Sequence, residues 1–179
     1  AFSQIYAKSA PTVSEAGYAM GLGFSPQIFT ALLMFSAVSL AITITISGKY
    51  IDKVGRRIWL IWTTVGVALF GLVLPYFLEN GTTVSLFWFL IIGMGLIGMG
   101  YGPLASFLPE LFPTHARYSG ASLTYNIAGL FGASVAAIIA LPLNANYGLK
   151  GVGIYLTVNA VLSLIGLWFI TETRDRQLL

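Results

Sequence analysis

Residues 48–60 read Gly48-Lys49-Tyr50-Ile51-Asp52-Lys53-Val54-Gly55-Arg56-Arg57-Ile58-Trp59-Leu60, with five charges crowded between Lys49 and Arg57. On either side lie Pro26 to Ser47 and Ile58 to Leu78, two long runs with no charged residue at all. Such a contrast needs a change of solvent at each boundary, so the runs belong in lipid and the charged hairpin between them belongs in water. Composition points the same way. At 57% apolar, 14% aromatic and 8% charged over 179 residues, the chain is too apolar for a water-soluble domain. The reading is an all-α polytopic membrane protein. The net charge of +3 is small and local; it bears on orientation in the membrane and gives no reason to expect nucleic acid. With no cysteine, disulfides, thiol catalysis and thiolate metal sites are ruled out.

Taken in order, residues 1–8 are apolar until Lys8 and read as the end of a membrane helix whose beginning is missing. Residues 9–25 carry Pro11, Ser14, Glu15 and three glycines, the composition of an extracytoplasmic loop. Ser25 then offers an N-cap oxygen, and Pro26 sits where a missing N–H costs nothing. Five spans are predicted within a bundle running over 26–179, at about 26–47, 58–78, 85–107, 119–143 and 151–170. Each is near the ~20 residues that cross ~30 Å of hydrocarbon. The alternation Ala41-Ile42-Thr43-Ile44-Thr45-Ile46-Ser47 has the period of a strand, but a lone strand in lipid would leave its backbone groups unpaired, so a helix is expected there too. Trp59, Trp62 and Tyr76 fall near span ends, where amphipathic rings are favoured. Lys49, Lys53, Arg56, Arg57, Arg117, Arg174 and Arg176 share one side of this topology, against Lys8 and Lys150 on the other. The bias makes the first side cytoplasmic, together with the tail 171–179.

The pattern Gly48, Asp52, Lys53, Gly55, Arg56, Arg57 resembles the signature loop of the major facilitator superfamily, which in that family occurs between helices two and three and again between eight and nine. Tyr101-Gly102-Pro103 and the stretch Pro109 to Tyr125 resemble the region of helices ten and eleven in its metabolite:proton symporters, and Thr171-Glu172-Thr173-Arg174-Asp175-Arg176 resembles the segment after helix twelve. The chain as a whole therefore resembles the C-terminal half, helices eight to twelve with the end of seven. The resemblance implies two six-helix halves rocking about a midplane site, an absent N-terminal six-helix half as partner, and a bacterial cytoplasmic membrane. It further implies a small polar metabolite as substrate (an organic acid, a shikimate-like compound or a betaine), with H+ as the coupling ion and no metal or other cofactor. The Asp52, Arg56 and Arg57 group, with Glu110 and Arg117 on the neighbouring loop, would then latch the cytoplasmic side. The runner-up within transporters is a sugar porter. From another class, the chain could be a membrane scaffold or sensor that keeps the fold without transport. An intramembrane enzyme needs a nucleophile with a base, or a ligand cluster at depth, and the spans hold neither.

Gly93, Gly95, Gly98, Gly100 and Gly102 precede Pro103 within one span. Glycine costs ~1 kcal/mol per helical site, so this density signals close helix contact or a bend. Close packing is the favoured single reading, and the resemblance adds a gating role. Ala128, Gly129, Gly132 and Ala133 read as a second packing face. Polar groups at membrane depth are the pointers to a substrate site. Gln4, Tyr6, Tyr101, Tyr125 and Asn126 are expected to border a cavity, and Asn159 to bond helix to helix. No Asp, Glu, His, Lys or Arg lies inside the five spans. A proton carrier would have to sit in the other half or at an end position such as Glu110, with His115 in the cytoplasmic connection a solvated loop residue.

Overall fold

The computed structural model describes residues 2–170; the side chains of Asp52, Phe131, Ala133 and Ala137 lie outside that description, as does the tail whose Thr171–Arg176 motif was noted above. Among the described residues there are six α-helices and one π-helical turn: α1 (Phe2–Lys8), α2 (Pro26–Val54), α3 (Arg56–Glu79), α4 (Thr83–Glu110), α5 (Arg117–Gly129), the turn Leu130–Ser134, and α6 (Val135–Phe169). Capping follows from local chemistry. Ser25 Oγ accepts from the Ile28 N–H at 3.4 Å with Pro26 just inside α2, and Thr82 Oγ1 accepts from the Ser85 N–H at 3.2 Å to start α4. Four stretches are long and apolar enough to cross a membrane: Pro26–Ile51, Arg56–Glu79, Thr83–Glu110 and Ile138–Phe169.

Two boundaries differ from the sequence reading. The expected hairpin is not a loop: α2 stays helical through Lys53 to Val54, and Gly55 alone joins it to α3. At 29 residues α2 is about 43 Å long, so its charged last turns reach beyond a ~30 Å hydrocarbon layer without the helix having to end. The expected spans 119–143 and 151–170 are not two helices parted by a loop. The first is divided among α5, the π turn and the start of α6, and α6 passes into the second across a single break at Gly148 (φ 67°, ψ −170°). Only glycine adopts such a backbone without strain.

Packing places α4 between α2 and α3, while α3 lies along the part of α6 that follows Gly148. The α4 glycines sort onto two faces. A Cβ on Gly98 would strike Thr43 Oγ1 and the Leu40 carbonyl, one on Gly102 would strike Ser47 Oγ, and one on Gly95 would lie 3.1 Å from Ser39 Oγ. Ser39, Thr43 and Ser47 are four apart, one stripe of α2, and Ser39 Oγ donates to the Ile91 carbonyl of α4 at 3.1 Å. Gly93 and Gly100 face Phe70 and Thr63 of α3 instead. The strand-like alternation thus encodes a small, polar helix face pressed against glycines, and α4 runs on through Pro103. The expected face at Gly129 and Gly132 is open among the described residues: a Cβ on either would meet no other helix within 4 Å, and α5 buries none of its residues.

The apolar core sits at the end carrying α1 and the 9–25 loop, where Tyr6, Phe29, Leu74, Leu78, Leu86 and Leu149 pack together. The loop is clamped onto α6 there. Ser14 Oγ donates to the Ala145 carbonyl at 2.7 Å, Asn144 Nδ2 donates to the Ala19 carbonyl at 3.0 Å, and the Tyr18 ring covers Gly148.

Candidate functional site

The opposite end is held by charge. Gly55 (φ 101°, ψ 139°) turns the chain in one residue, donating to the Ile51 carbonyl at 2.9 Å and accepting from the Trp59 N–H at 3.1 Å. Arg56 and Arg57 are thereby set in the first turn of α3, where the helix dipole disfavours cations unless acceptors surround them. Arg56 Nη1 pairs with Glu110 Oε2 at the end of α4, the side chains only 17% and 14% exposed. Arg57 turns the other way. Its Nε donates to the Leu167 carbonyl at 3.0 Å and its Nη2 to the Trp168 carbonyl at 2.9 Å, satisfying carbonyls in the last turn of α6 that have no N–H ahead of them in the helix. Two consecutive arginines therefore tie one helix start to two helix ends.

This redraws the expected latch. Glu110 closes α4 instead of lying in a loop, and its partner is Arg56; Arg117 opens α5 with a buried Nε that has no hydrogen-bond partner among the described residues. Lys53 is exposed, Gly48 has open space around its Cα, and the Asp52 side chain lies outside the described residues. The role of Arg57 was missed from sequence, although two cations opening a helix were a signal that nearby carbonyls must receive them.

The cavity candidates fall in three places. Tyr101 of α4 and Tyr125 of α5 border one cleft of about 330 Å³ walled by Leu104, Ala105, Leu108 and Ala121, and each is half exposed. Asn126 stands beside Tyr125 in sequence but spends its amide on the Ser122 carbonyl at 2.8 Å within its own helix. Gln4 lines a separate cavity of about 410 Å³ with Phe29, Phe70, Phe89 and Gly93, an almost wholly apolar space. Tyr6 is 2% exposed in the apolar core, stacked on Phe2 at 5.6 Å. Asn159 donates to the Tyr155 carbonyl at 2.8 Å, a bond within α6.

One polar contact joins the charged end to the cleft. Pro103 has no N–H, so the Met99 carbonyl four residues earlier loses its helical donor. The Trp59 indole Nε1–H of α3 donates to that carbonyl at 3.0 Å. Trp59 stands two residues from Arg57, and Tyr101 lies between Met99 and Pro103.

Helices of this length, with charged helix ends far apart in sequence brought together and a cleft between α4 and α5, suit a membrane transport protein. Residues 19–179 match the sequence profile of the sugar (and other) transporter family, and the chain belongs to that family, within the major facilitator superfamily. A Haemophilus influenzae protein named for metabolite transport is 90% identical over 178 residues, 99% of this chain and 40% of that protein. The inner membrane metabolite transport protein YhjE of Escherichia coli K12 is 40% identical over 93% of this chain and 38% of its own length. A proline/betaine transporter of Salmonella typhimurium is 33% identical over 74% of this chain and 27% of its own length. The chain thus spans about 40% of the length of the first of these relatives. No solved structure matches it at a significant level.

Proposed function

We propose that this chain supplies one half of a secondary transporter that moves a small polar metabolite across a bacterial cytoplasmic membrane by alternating access, with its C-terminus cytoplasmic. An organic acid, a shikimate-like compound or a betaine is the substrate, and proton symport drives uptake. The observation that carries this reading is the contrast between the two ends of the bundle. One end is joined by apolar core, whereas at the other the Arg57 contacts tie α3 to α6 and the Arg56–Glu110 pair joins α3 to α4, a pair that can part and re-form as water enters. The Tyr101–Tyr125 cleft contributes one wall of the substrate path, and an N-terminal six-helix half supplies the opposite wall. The names of the relatives, metabolite and proline/betaine transporters, favour this substrate class over a sugar. The two phenol hydroxyls of the cleft, on otherwise apolar walls, also suit a small solute better than a ring of several hydroxyls.

The test is uptake of labelled carboxylates, shikimate, proline, betaine and hexoses by cells expressing the full-length gene, with and without a protonophore. Entry of one carboxylate or betaine that collapses with the protonophore is expected, and Arg56→Ala should lower that uptake at an unchanged amount of membrane protein. Protonophore-insensitive entry of a hexose would transfer the reading to a sugar porter. No entry of any compound, with normal insertion, would favour the scaffold reading.

A further inference from the structure

Beside the crossing of α3 and α6 opens a groove of about 390 Å³ that the transport reading does not use. Its floor is apolar, formed by Gly71, Pro75 and Ile154, and its rim carries Tyr76, Glu79 and Lys150. The groove exists because Gly71 and Gly153 let the two helices touch: a Cβ on Gly153 would run into the Gly71 carbonyl. Where the helices diverge from that point, the space is left unfilled.

The rim has an unusual charge pattern. Glu79 ends α3, and Lys150 stands two residues beyond the Gly148 break, so both lie where an uncharged helix surface meets the aqueous boundary. Both are exposed and border one groove, yet among the described residues no ion pair joins them. Tyr76, one turn below Glu79 and 70% exposed, is placed as an interfacial ring. Opposite charges that share a rim without neutralising each other suit a ligand carrying both signs, with an apolar tail for the floor.

We propose that this groove binds a zwitterionic aminophospholipid of the leaflet opposite the Arg56–Glu110 end. The lipid phosphate sits on Lys150, its primary ammonium on Glu79, the glycerol region against Tyr76, and one acyl chain along Gly71, Pro75 and Ile154. The chemistry is selective. A choline head group has no N–H to give Glu79, and a phosphatidylglycerol head group brings only negative charge past that carboxylate. A phosphatidylethanolamine satisfies both rim groups at once.

The experiment is native mass spectrometry of the purified full-length protein titrated with phosphatidylethanolamine, phosphatidylcholine or phosphatidylglycerol, paired with thermal unfolding in each lipid. Retention of phosphatidylethanolamine should exceed that of the other two by about tenfold, the scale of one charge-assisted hydrogen bond, and it alone should raise the unfolding temperature. Glu79→Gln should erase the preference over phosphatidylcholine, and Lys150→Gln should weaken retention of all three. Both are surface changes at helix ends, so the lipid-free unfolding transition should match the parent's. Equal retention of the three lipids, or retention untouched by either substitution, would mean adventitious surrounding lipid only and would overturn the site. Because nothing here is read through uptake, the result stands apart from the transport assay.

Discussion

Pro75 in α3 and Pro103 in α4 create the same defect and meet two different remedies. Each removes an N–H from a helix interior and leaves the carbonyl four residues earlier without its donor, a serious matter where no water is at hand. At Pro103 the freed Met99 carbonyl takes the Trp59 indole N–H at 3.0 Å. At Pro75 the freed Gly71 carbonyl faces the bare Cα of Gly153, a weak C–H donor at most. The nearest hydroxyl, Thr157 Oγ1, is committed to the Ala68 and Gly153 carbonyls at 3.0 Å each. At Pro103 the α3–α4 contact is therefore completed by a polar side chain that can leave and return. At Pro75 the α3–α6 contact is completed by shape, which fits or fails as a whole. A moving α4 against a fixed α3–α6 pair is the mechanical division that this implies.

The largest effect should come from breaking the shape. Gly153→Ala places a Cβ against backbone that cannot step aside, and a loss of about 3 kcal/mol, the upper part of the range for overpacking, is expected in unfolding of the full-length protein in detergent. A neutral Gly153→Ala would mean that α3 and α6 slide freely, and the contrast with α4 would disappear. Trp59→Phe keeps an aromatic ring but orphans the Met99 carbonyl, for about 1–2 kcal/mol. In a Pro103→Ala background, residue 103 regains an N–H for that carbonyl, so the same Trp59→Phe substitution should lose most of its cost. An equal cost in both backgrounds would assign Trp59 to packing and not to the proline.

Much of this was legible in the sequence, and the illegible part has a common physical cause. Charge-free runs meeting a charged segment located α2 and α3, and Ser25-Pro26 located the start of α2, because each is a local event governed by solvent or capping. The helical run through Lys49 to Val54 was hidden, since charged residues signal water but not the end of a helix. The α4 glycines announced close packing, yet which helix each one meets depends on α2 and α3, and a sequence does not print that register. Gly71 and Gly153 passed unnoticed for the same reason: a lone glycine carries no signal until its partner is known. Tyr101 and Tyr125 were expected at a cavity and do share one cleft, whereas Tyr6, equally polar on paper, sits in the core beside Phe2. Arg56 and Glu110, named for one latch from sequence, pair because helix ends far apart in sequence meet at one end of the bundle.

The smallest effect sharpens the comparison most. Thr157 Oγ1 donates to the Ala68 carbonyl across α3 and α6 at 3.0 Å, the same distance at which Trp59 reaches Met99 across α3 and α4. If geometry set the value of such bonds, removing either donor would cost the same. The acceptors differ, however. Residue 72 is a leucine, so the Ala68 carbonyl keeps a helical N–H four residues on, whereas residue 103 is a proline and the Met99 carbonyl has none. Thr157→Val, which preserves the side-chain shape, should therefore cost only about 0.5 kcal/mol, near the average for hydrogen bonds between membrane helices. A Thr157→Val loss as large as that of Trp59→Phe would show that the helical donor at Leu72 does not compensate. The freed carbonyl would then no longer explain why Trp59 matters.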